Sequence, residues 1–311
     1  MHLLFIQREK IRKFECSVTG ILLIVGLLSI FSSKTVETNF NSCLKKAYYT
    51  ALQYQSLQPD TMLPEKKIIV LIPSYNNARW YQHNLESVFS QQYKNYSIIY
   101  IDDCSSDATG KLVESYIKTH PNGDCVTFIK NGQRNYAMAN IYRVIHEYCD
   151  DDAIIIMLDG DDFLAHDRVL KYINYIYCVY DIWMSYGNYL SLQSLKPFER
   201  TKPFAPSIIS NNGFRQSPLG VQHLRTFYAW LFKKIDSNDL KYEGKFLTMT
   251  SDVAMYTPMI EMAANHHLCV RDVLYIYNDF NPINDHKKNK QYQIMLDVYI
   301  RNKSKYLPFV L

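Results

Sequence analysis

One stretch of the sequence, residues 153–164, constrains the fold more than any other, and it reads AIIIMLDGDDFL. It opens with six consecutive apolar residues, which is typical of a short strand buried on both faces, as in a parallel sheet flanked by helices. That strand runs directly into Asp159, Asp161 and Asp162. Ligand sites in open α/β sheets lie beyond the carboxyl ends of strands. Carboxylates there suit Mg²⁺ or Mn²⁺ together with a phosphorylated substrate, and a plain polar turn is the alternative.

The composition is that of a globular protein rather than a disordered one. Of 311 residues, 48% are hydrophobic and 21% are charged, which is ample material for a large core. The net charge of +4 is mild and spread along the chain, so we expect no nucleic-acid partner. The seven cysteines form no C-x-x-C pair and no metal-finger spacing, so the sequence indicates no disulfide framework.

The N-terminal region divides into three segments by charge and hydropathy. Residues 1–15 are basic and predict a cytoplasmic tail, because positive charge flanks the cytoplasmic side of membrane segments. Residues 16–33 are interpreted as a membrane-anchor helix, with a cleaved signal peptide and a buried helix as alternatives. Residues 34–64 are polar and mixed, and we interpret them as a stem. The rest of the chain would then face the secretory-pathway lumen in a eukaryote, or lie at the cell membrane otherwise.

Strand and helix patterns alternate through the first half of the globular part. The predicted strands are 67–72, 96–101, 124–130 and 153–158, and the predicted helices are 78–92, 108–119 and 136–148. Short links between them predict a doubly wound, mostly parallel α/β sheet with helices on both faces. No G-x-G-x-x-G follows the first strand, so the dinucleotide-binding fingerprint is absent.

The second predicted strand also ends in acids, at Asp102 and Asp103. Parallel strands place their carboxyl ends at one edge of the sheet, so these side chains should lie near the acids at 159–162. The first pair is suited to accept hydrogen bonds from a base or ribose, and the second group to hold a metal against a diphosphate. Helix capping is the alternative for Asp102 and Asp103. Together the two groups predict a nucleotide-diphosphate site.

The sequence resembles glycosyltransferase family 2 at four motifs in the family's order. They are VLIPSYNN at 70–77, SVFSQQY at 87–93, IDDCSSD at 101–107 and LDGDD at 158–162. The resemblance extends over about residues 66–165 and, more loosely, 215–290. It implies the GT-A fold and transfer with inversion of the anomeric centre. It also implies one domain over residues 65–311, with a nucleotide-binding half at 65–165 and an acceptor-binding half at 166–311.

The resemblance implies roles for the residues that match the motifs of the donor site. Pro73, Tyr75 and Asn76 would form the nucleotide loop, and Asp103 would bind the nucleotide, which in this family is usually uridine. The family often has a basic residue before the third helix that approaches the diphosphate, which here is Arg134, with a plain surface arginine as the alternative.

The D-x-D element of the family binds Mn²⁺ or Mg²⁺ and the donor diphosphate. By resemblance, Asp159 and Asp161 would contact the diphosphate, and Asp161 and Asp162 would bind the metal. A late histidine sometimes completes the metal shell in GT-A chains, and His286 is the candidate here.

The second half of the chain must supply a base and an acceptor site. Inverting transfer needs a carboxylate that takes the proton of the attacking hydroxyl. The family's acidic doublet at the start of a helix maps onto Ser251 and Asp252, so one acid is missing and Asp252 is the expected base. An acid that only complements the helix dipole is the alternative. His223, Arg225 and Trp230 are candidates for sugar contact, and the alternative is a helix whose aromatic side chains belong to the core.

Other classes of protein fit the sequence less well. A haloacid dehalogenase phosphatase would carry its D-x-D after the opening strand, and a sugar nucleotidyltransferase would carry a basic, glycine-rich loop where this chain has Pro73 and Tyr75. A catalytically weak, membrane-anchored scaffold that binds nucleotide sugar stays open because of Ser251. The sequence therefore predicts a metal-dependent inverting glycosyltransferase with a nucleotide diphosphate sugar as donor and a glycan, lipid or protein as acceptor. The resemblance implies that the nucleotide is uridine.

Overall fold

The computed structural model of the chain describes residues 38–56, 63–198, 201–217, 220–282 and 289–309. The chain divides into two compact units, residues 1–46 and residues 47–311. Residues 38–53, within the predicted stem, are helical. The predicted tail and anchor lie outside the described residues. Within the described part, we find no helix with the length and apolar character needed to cross a membrane.

The second unit alternates strands and helices from its first strand onward. The strands are β1 (Ile68–Ser74), β2 (Tyr96–Asp102), β3 (Val126–Lys130), β4 (Ile154–Met157), β5 (Phe163–Leu164), β6 (Met184–Ser191), β7 (Arg225–Tyr228), β8 (Lys241–Tyr242), β9 (Lys245–Phe246) and β10 (His267–Tyr277). The helices are α1 (Tyr81–Phe89), α2 (Thr109–Thr119), α3 (Tyr136–Tyr148), α4 (Val169–Val179), α5 (Pro206–Ser210), α6 (Ala229–Lys233), α7 (Ser251–Ala263) and α8 (Lys290–Arg301).

The main sheet has eight strands in the order β3-β2-β1-β4-β7-β6-β10-β5. Strands β3, β2, β1 and β4 are parallel neighbours, and β10 is parallel to β6. Only β7 and β5 run against the others in this sheet. The prediction of a mostly parallel α/β sheet is confirmed, and the carboxyl ends of β1, β2 and β4 meet at one edge.

Both faces of the sheet are covered by helices. Successive residues of each central strand therefore pack into two different cores, one on each face. In β1, Ile69 and Leu71 pack with α3, α6, α7 and α8, whereas Ile68 and Val70 pack with α1, α2 and α4. All four of these side chains are fully buried. This explains why the strands are continuous apolar runs rather than alternating ones.

The structure decides against the alternative of one helix through the segment that carries His223, Arg225 and Trp230. Residues 225–228 form the antiparallel strand β7, which inserts between β4 and β6, and within residues 220–233 only the short α6 is helical. Trp230 does belong to a packed region, since its ring lies edge to face with Trp183 at 5.2 Å.

A buried ion pair joins the C-terminal part of the chain to α7. Arg215 donates two hydrogen bonds to the carboxylate of Glu261, at 2.7 and 3.0 Å, and a third to the carbonyl oxygen of Ile300. The backbone N–H of Tyr306 donates to the same carboxylate. Because α7 carries Asp252 in its first turn, this pair helps to fix the helix on which the predicted base lies.

Candidate active site

After β4 and Leu158, the four residues Asp159–Gly160–Asp161–Asp162 form what we call the acidic turn. It packs tightly against the end of β1. A Cβ atom on Gly160 would lie 2.8 Å from the Cβ of Ser74 and 2.7 Å from Nδ2 of Asn77. The Gly160 N–H also donates to the carbonyl oxygen of Pro73 at 3.2 Å. Any side chain at Gly160 would therefore push the turn away from the predicted nucleotide loop.

Asp162 anchors the acidic turn to the end of β10. The hydroxyl of Tyr275 donates to Oδ2 of Asp162 at 2.5 Å, and the backbone N–H of Asn278 donates to Oδ1 at 2.7 Å. The carboxyl group is almost completely buried, at 1% exposure. Its burial and then the charges of Asp161 and Asp159 hold its pKa well above the usual range. Ionisation of Asp162 is thus opposed by its burial and by the two neighbouring acids.

Amide side chains fix the rest of the acidic turn. Nδ2 of Asn281 donates to Oδ2 of Asp161 at 2.6 Å, and Nδ2 of Asn278 donates to the Asp161 carbonyl oxygen at 3.0 Å. From α1, Nδ2 of Asn84 donates to the carbonyl oxygen of Asp162 at 2.7 Å. The turn is thus held from α1 on one side and from the segment after β10 on the other.

Asp103, which follows β2, organises the start of α3. Its carboxylate accepts hydrogen bonds from the backbone N–H groups of Asn135 and Tyr136 at 2.9 and 2.8 Å, and from Nδ2 of Asn131 at 2.9 Å. Nε of Arg134 lies 3.8 Å from it. These donors hold the buried carboxylate of Asp103 in one orientation. Asp103 binds the N–H groups at the start of α3 and also lines the cavity, so helix capping does not exclude a contact with a nucleotide.

Arg134 lies against the aromatic ring of the predicted nucleotide loop. Its Cζ is 3.2 Å from the ring centroid of Tyr75 and 4.9 Å from that of Tyr136. The guanidinium therefore covers one face of Tyr75. Asn76 has a different role, because its Oδ1 accepts from the Ser106 N–H at 2.8 Å and so holds the loop after β2.

Asp252 lies in the first turn of α7 and forms an ion pair with Arg225 of β7. Nη2 of Arg225 is 3.2 Å from Oδ2 of Asp252, and the Val253 N–H donates to Oδ1 at 2.9 Å. Burial opposes the positive charge of Arg225, but the charge of Asp252 raises the pKa of the guanidinium overall. The Asp252 side chain keeps 46% of its surface exposed. A carboxylate held by a permanent cation yet open to solvent is placed to meet an incoming hydroxyl.

His223 is held by aromatic rings beside this pair. Its imidazole stacks on Tyr275 with centroids 4.4 Å apart, and the rings of Tyr189 and Tyr277 lie 5.9 and 6.2 Å away. Burial and then the charge of Arg225 lower its pKa well below the usual range, so the ring is neutral at pH 7.

These groups surround one cavity of about 630 Å³. Of the residues predicted from the sequence, the cavity is lined by Pro73, Tyr75, Asp103, Arg134, Asp159, Asp161, Asp162, His223, Arg225 and Asp252. Asn76 and Trp230 are not among its lining residues, and His286 lies outside the described residues. Within the described ranges, no three His, Cys, Asp or Glu side chains are grouped closely enough to form a metal site by themselves.

Sequence reasoning missed the residues that hold the acidic turn from β10. Tyr275, Asn278 and Asn281 were not among the predicted site residues. One signal was available: Tyr275 and Tyr277 are two positions apart in a strand and so share one face. Nothing in the sequence indicates that this face meets Asp162, which is 113 positions earlier.

A family model described as glycosyl transferase family 2 matches residues 69–235, which is more than half of the chain. The chain belongs to glycosyl transferase family 2. Among curated relatives in the family, a protein described as putative glycosyltransferase EpsE of Bacillus subtilis is 28% identical over 110 residues, covering 35% of this chain and 38% of that protein. An uncharacterized glycosyltransferase of Haemophilus influenzae is 30% identical over 122 residues, covering 39% and 46%. The chain thus spans less than half of these relatives.

Solved structures share the fold of this family member. S. aureus TarS 1–349, in complex with UDP-GlcNAc, has a TM-score of 0.55 at 18% identity, over 75% of this chain and 66% of that one. The mannosyltransferase PcManGT of Pyrobaculum calidifontis, in complex with GDP-Man and Mn²⁺, has a TM-score of 0.54 at 14% identity, over 88% and 77%. The curled, mostly parallel sheet is of the GT-A type, as the resemblance implies.

Proposed function

We propose that this chain is a metal-dependent inverting glycosyltransferase that moves a sugar from a nucleotide diphosphate sugar, with uridine as the nucleotide, to an acceptor hydroxyl. One observation carries the proposal. A single cavity is lined by the acidic turn, by the Tyr75 and Asp103 end of the sheet, and by Asp252. Donor, leaving group and base would then meet in one space, as a direct displacement requires.

The donor set of the acidic turn fits Mn²⁺ or Mg²⁺, because carboxylate oxygens are the ligands that these ions prefer. The raised pKa of Asp162, caused partly by its acidic neighbours, supports a place for positive charge here. Asp159 and Asp161 would hold the ion with the donor diphosphate. Asp162, with both oxygens already hydrogen-bonded, would contribute a shared oxygen at most, and His286 stays a prediction. When bound, the metal neutralises charge on the leaving diphosphate.

The choice of donor rests on likeness to proteins of the same fold. TarS was solved with UDP-GlcNAc, and glucosyl-3-phosphoglycerate synthase from Mycobacterium tuberculosis with Mn²⁺ and UDP, whereas PcManGT was solved with GDP-Man. Tyr75 offers a ring face for a base, and Arg134 would move from that face onto the base or the diphosphate. The uridine assignment therefore needs a test against guanosine nucleotides.

The base assignment follows from charge and exposure. Asp252 would take the proton of the acceptor hydroxyl as its oxygen attacks the anomeric carbon opposite the diphosphate. Arg225 orients the carboxylate, because Nη2 of this permanent cation lies 3.2 Å from Oδ2 of Asp252.

The partners follow from the reaction and from the N-terminal sequence. A glycan, a lipid or a protein would supply the acceptor hydroxyl. Residues 16–33 would attach the chain to a membrane as a single-pass anchor, with residues 1–15 in the cytoplasm. The domain over residues 65–311 would then act on the lumenal or outer side.

The first experiment measures the hydrolysis of nucleotide sugars by the purified full chain. A panel of uridine and guanosine diphosphate sugars is incubated with Mn²⁺ or with chelator, and nucleoside diphosphate release is followed. We expect metal-dependent release from a uridine donor. If nothing is released, UDP binding with Mn²⁺ is measured by calorimetry; binding without turnover on any acceptor would favour the scaffold alternative, and no binding would contradict the proposal.

Asp252→Asn tests the base. The amide keeps the shape and still accepts the hydrogen bond from Arg225, so the dissociation constant of UDP should change less than twofold. Turnover should fall by about 10²–10⁴-fold, the usual contribution of a general base. The exposed Asp124→Asn is the matched control and should keep full activity. Loss of UDP binding in a folded Asp252→Asn protein would show that the assignment is wrong.

A further inference from the structure

His223 lines the cavity, and its two ring nitrogens differ in exposure. Among the described residues, Nδ1 is buried without a hydrogen-bond partner, whereas Nε2 is not among the buried atoms that lack one. A neutral imidazole carries one donor and one acceptor nitrogen. Buried polar groups without partners are rare in native structures, and each calls for a physical explanation. A ligand in the cavity cannot reach the buried Nδ1, so Nε2 is the nitrogen that the ring offers to such a ligand.

The ring cannot turn away from the cavity that it lines. Tyr275 stacks on one face, at 4.4 Å between centroids, and Tyr189 meets it nearly at right angles at 5.9 Å. This packing fixes the plane of the imidazole, so the entropy cost of ordering it for a ligand is already met by the fold. His223 is built as a fixed polar group in an aromatic wall.

The contacts of His223 locate it relative to the two ends of the proposed reaction. The tyrosine on which it stacks, Tyr275, donates to Asp162 of the acidic turn. Arg225, which is two positions after His223 in the chain, binds Asp252. Tyr275 therefore links His223 to the acidic turn, where the diphosphate is proposed to bind, and Arg225 links it to the proposed base, Asp252. The group transferred between those ends is the sugar of the donor.

We propose that His223 binds, through Nε2, a hydroxyl of the sugar that is transferred. The inference rests on the proposed function, because it assumes a nucleotide sugar in this cavity. Such a contact would distinguish the nucleotide sugar from the bare nucleoside diphosphate, since only the former carries the hydroxyl. A donor contact of this kind also acts before any acceptor arrives.

The test compares two ligands on matched variants of the full chain. Calorimetry with Mn²⁺ measures the dissociation constants of UDP, GDP, UDP-glucose, UDP-galactose, UDP-N-acetylglucosamine and GDP-mannose. The nucleotide sugar that binds most tightly, and its nucleoside diphosphate, are then measured on His223→Phe, which keeps a stacking ring but has no nitrogen. We expect the nucleotide sugar to bind about tenfold more weakly and the nucleoside diphosphate to change less than twofold.

Two further variants separate the contact from an effect on folding. His223→Gln restores a donor and an acceptor and should recover at least a third of the lost affinity. His266→Phe replaces a histidine that stacks on Trp183 at 4.0 Å and does not line the cavity, so neither ligand should change. Should the Phe variant not fold, His223→Ala serves for the same comparison.

Each other outcome refutes a specific statement. Equal weakening of nucleotide sugar and nucleoside diphosphate would mean that His223 acts on the nucleotide site, and unchanged binding of both would mean that it does not touch the donor sugar; either overturns this inference alone. A wild-type chain that binds none of the six ligands overturns the proposed function, and this inference falls with it.

Discussion

The hydroxyl of Tyr275 should contribute more to the free energy of unfolding than an ordinary buried hydroxyl does, and Tyr275→Phe tests this. The bond to Oδ2 of Asp162 is 2.5 Å long, and both side chains are fully buried. Hydrogen bonds to charged groups contribute about 1.5–3 kcal/mol, whereas neutral ones contribute about 1 kcal/mol. Among the described residues, removing the hydroxyl leaves the Asp162 carboxyl with the Asn278 N–H alone. We therefore expect the free energy of unfolding to fall by about 2–3 kcal/mol at a pH above the raised pKa of Asp162, where the carboxyl is ionised.

The matched control is Tyr177→Phe. Tyr177 is also buried, and its hydroxyl shares a 2.9 Å hydrogen bond with Oγ1 of Thr226, which is neutral. That variant should lose about 1 kcal/mol. Urea unfolding with chelator present measures both. Donor hydrolysis should fall in Tyr275→Phe alone, because the released turn carries Asp161. If the two variants lose the same free energy, the charge-assisted bond to Asp162 does not have the weight that we give it.

Two other predictions concern groups outside the cavity. Burial lowers the pKa of His166 to about 4. Because the unfolded chain, with a histidine pKa of about 6.5, then binds more protons between these values, stability should fall by about 3 kcal/mol as the pH drops from 6.5 to 4. His166→Gln should flatten the pH dependence of urea unfolding, and the exposed His146→Gln should not; equal slopes would contradict this. Glu261→Ala leaves Arg215 buried and unpaired and should cost about 3–5 kcal/mol in the same assay, and a loss below about 1 kcal/mol would refute the role of the pair.

The first half of the domain was predictable because its signals are local. An apolar run of strand length, a loop beginning at Pro73 and an acid at each strand end follow from neighbouring residues alone. Helix α3 was predicted with its observed bounds, Tyr136–Tyr148, because its apolar residues repeat with helical spacing. The rule that strand ends carry the site then brought Asp103 and Asp161 to one cavity before any contact was known.

The second half was harder to predict because its strands are defined by distant partners. Residues 225–228 are rich in aromatics and were compatible with a helix, yet they form β7, since the space between β4 and β6 accepts an extended segment. Arg225 was a candidate for sugar contact, whereas the structure pairs it with Asp252, 27 positions later. Periodicity within a short window does not contain that information.

The division into a nucleotide-binding half and an acceptor-binding half also needs a physical refinement. Asp161 belongs to the first half, but its carboxylate is oriented by Asn281, 120 positions later, and Asp162 is anchored by Tyr275. The donor end is therefore assembled from both halves. Residues 65–165 alone would keep the acidic turn but lose the hydrogen bonds that Tyr275, Asn278 and Asn281 donate to it, and three carboxylates in one turn would repel each other without them. It follows that substitutions at the end of β10 should weaken donor binding even though they lie in the half assigned to the acceptor.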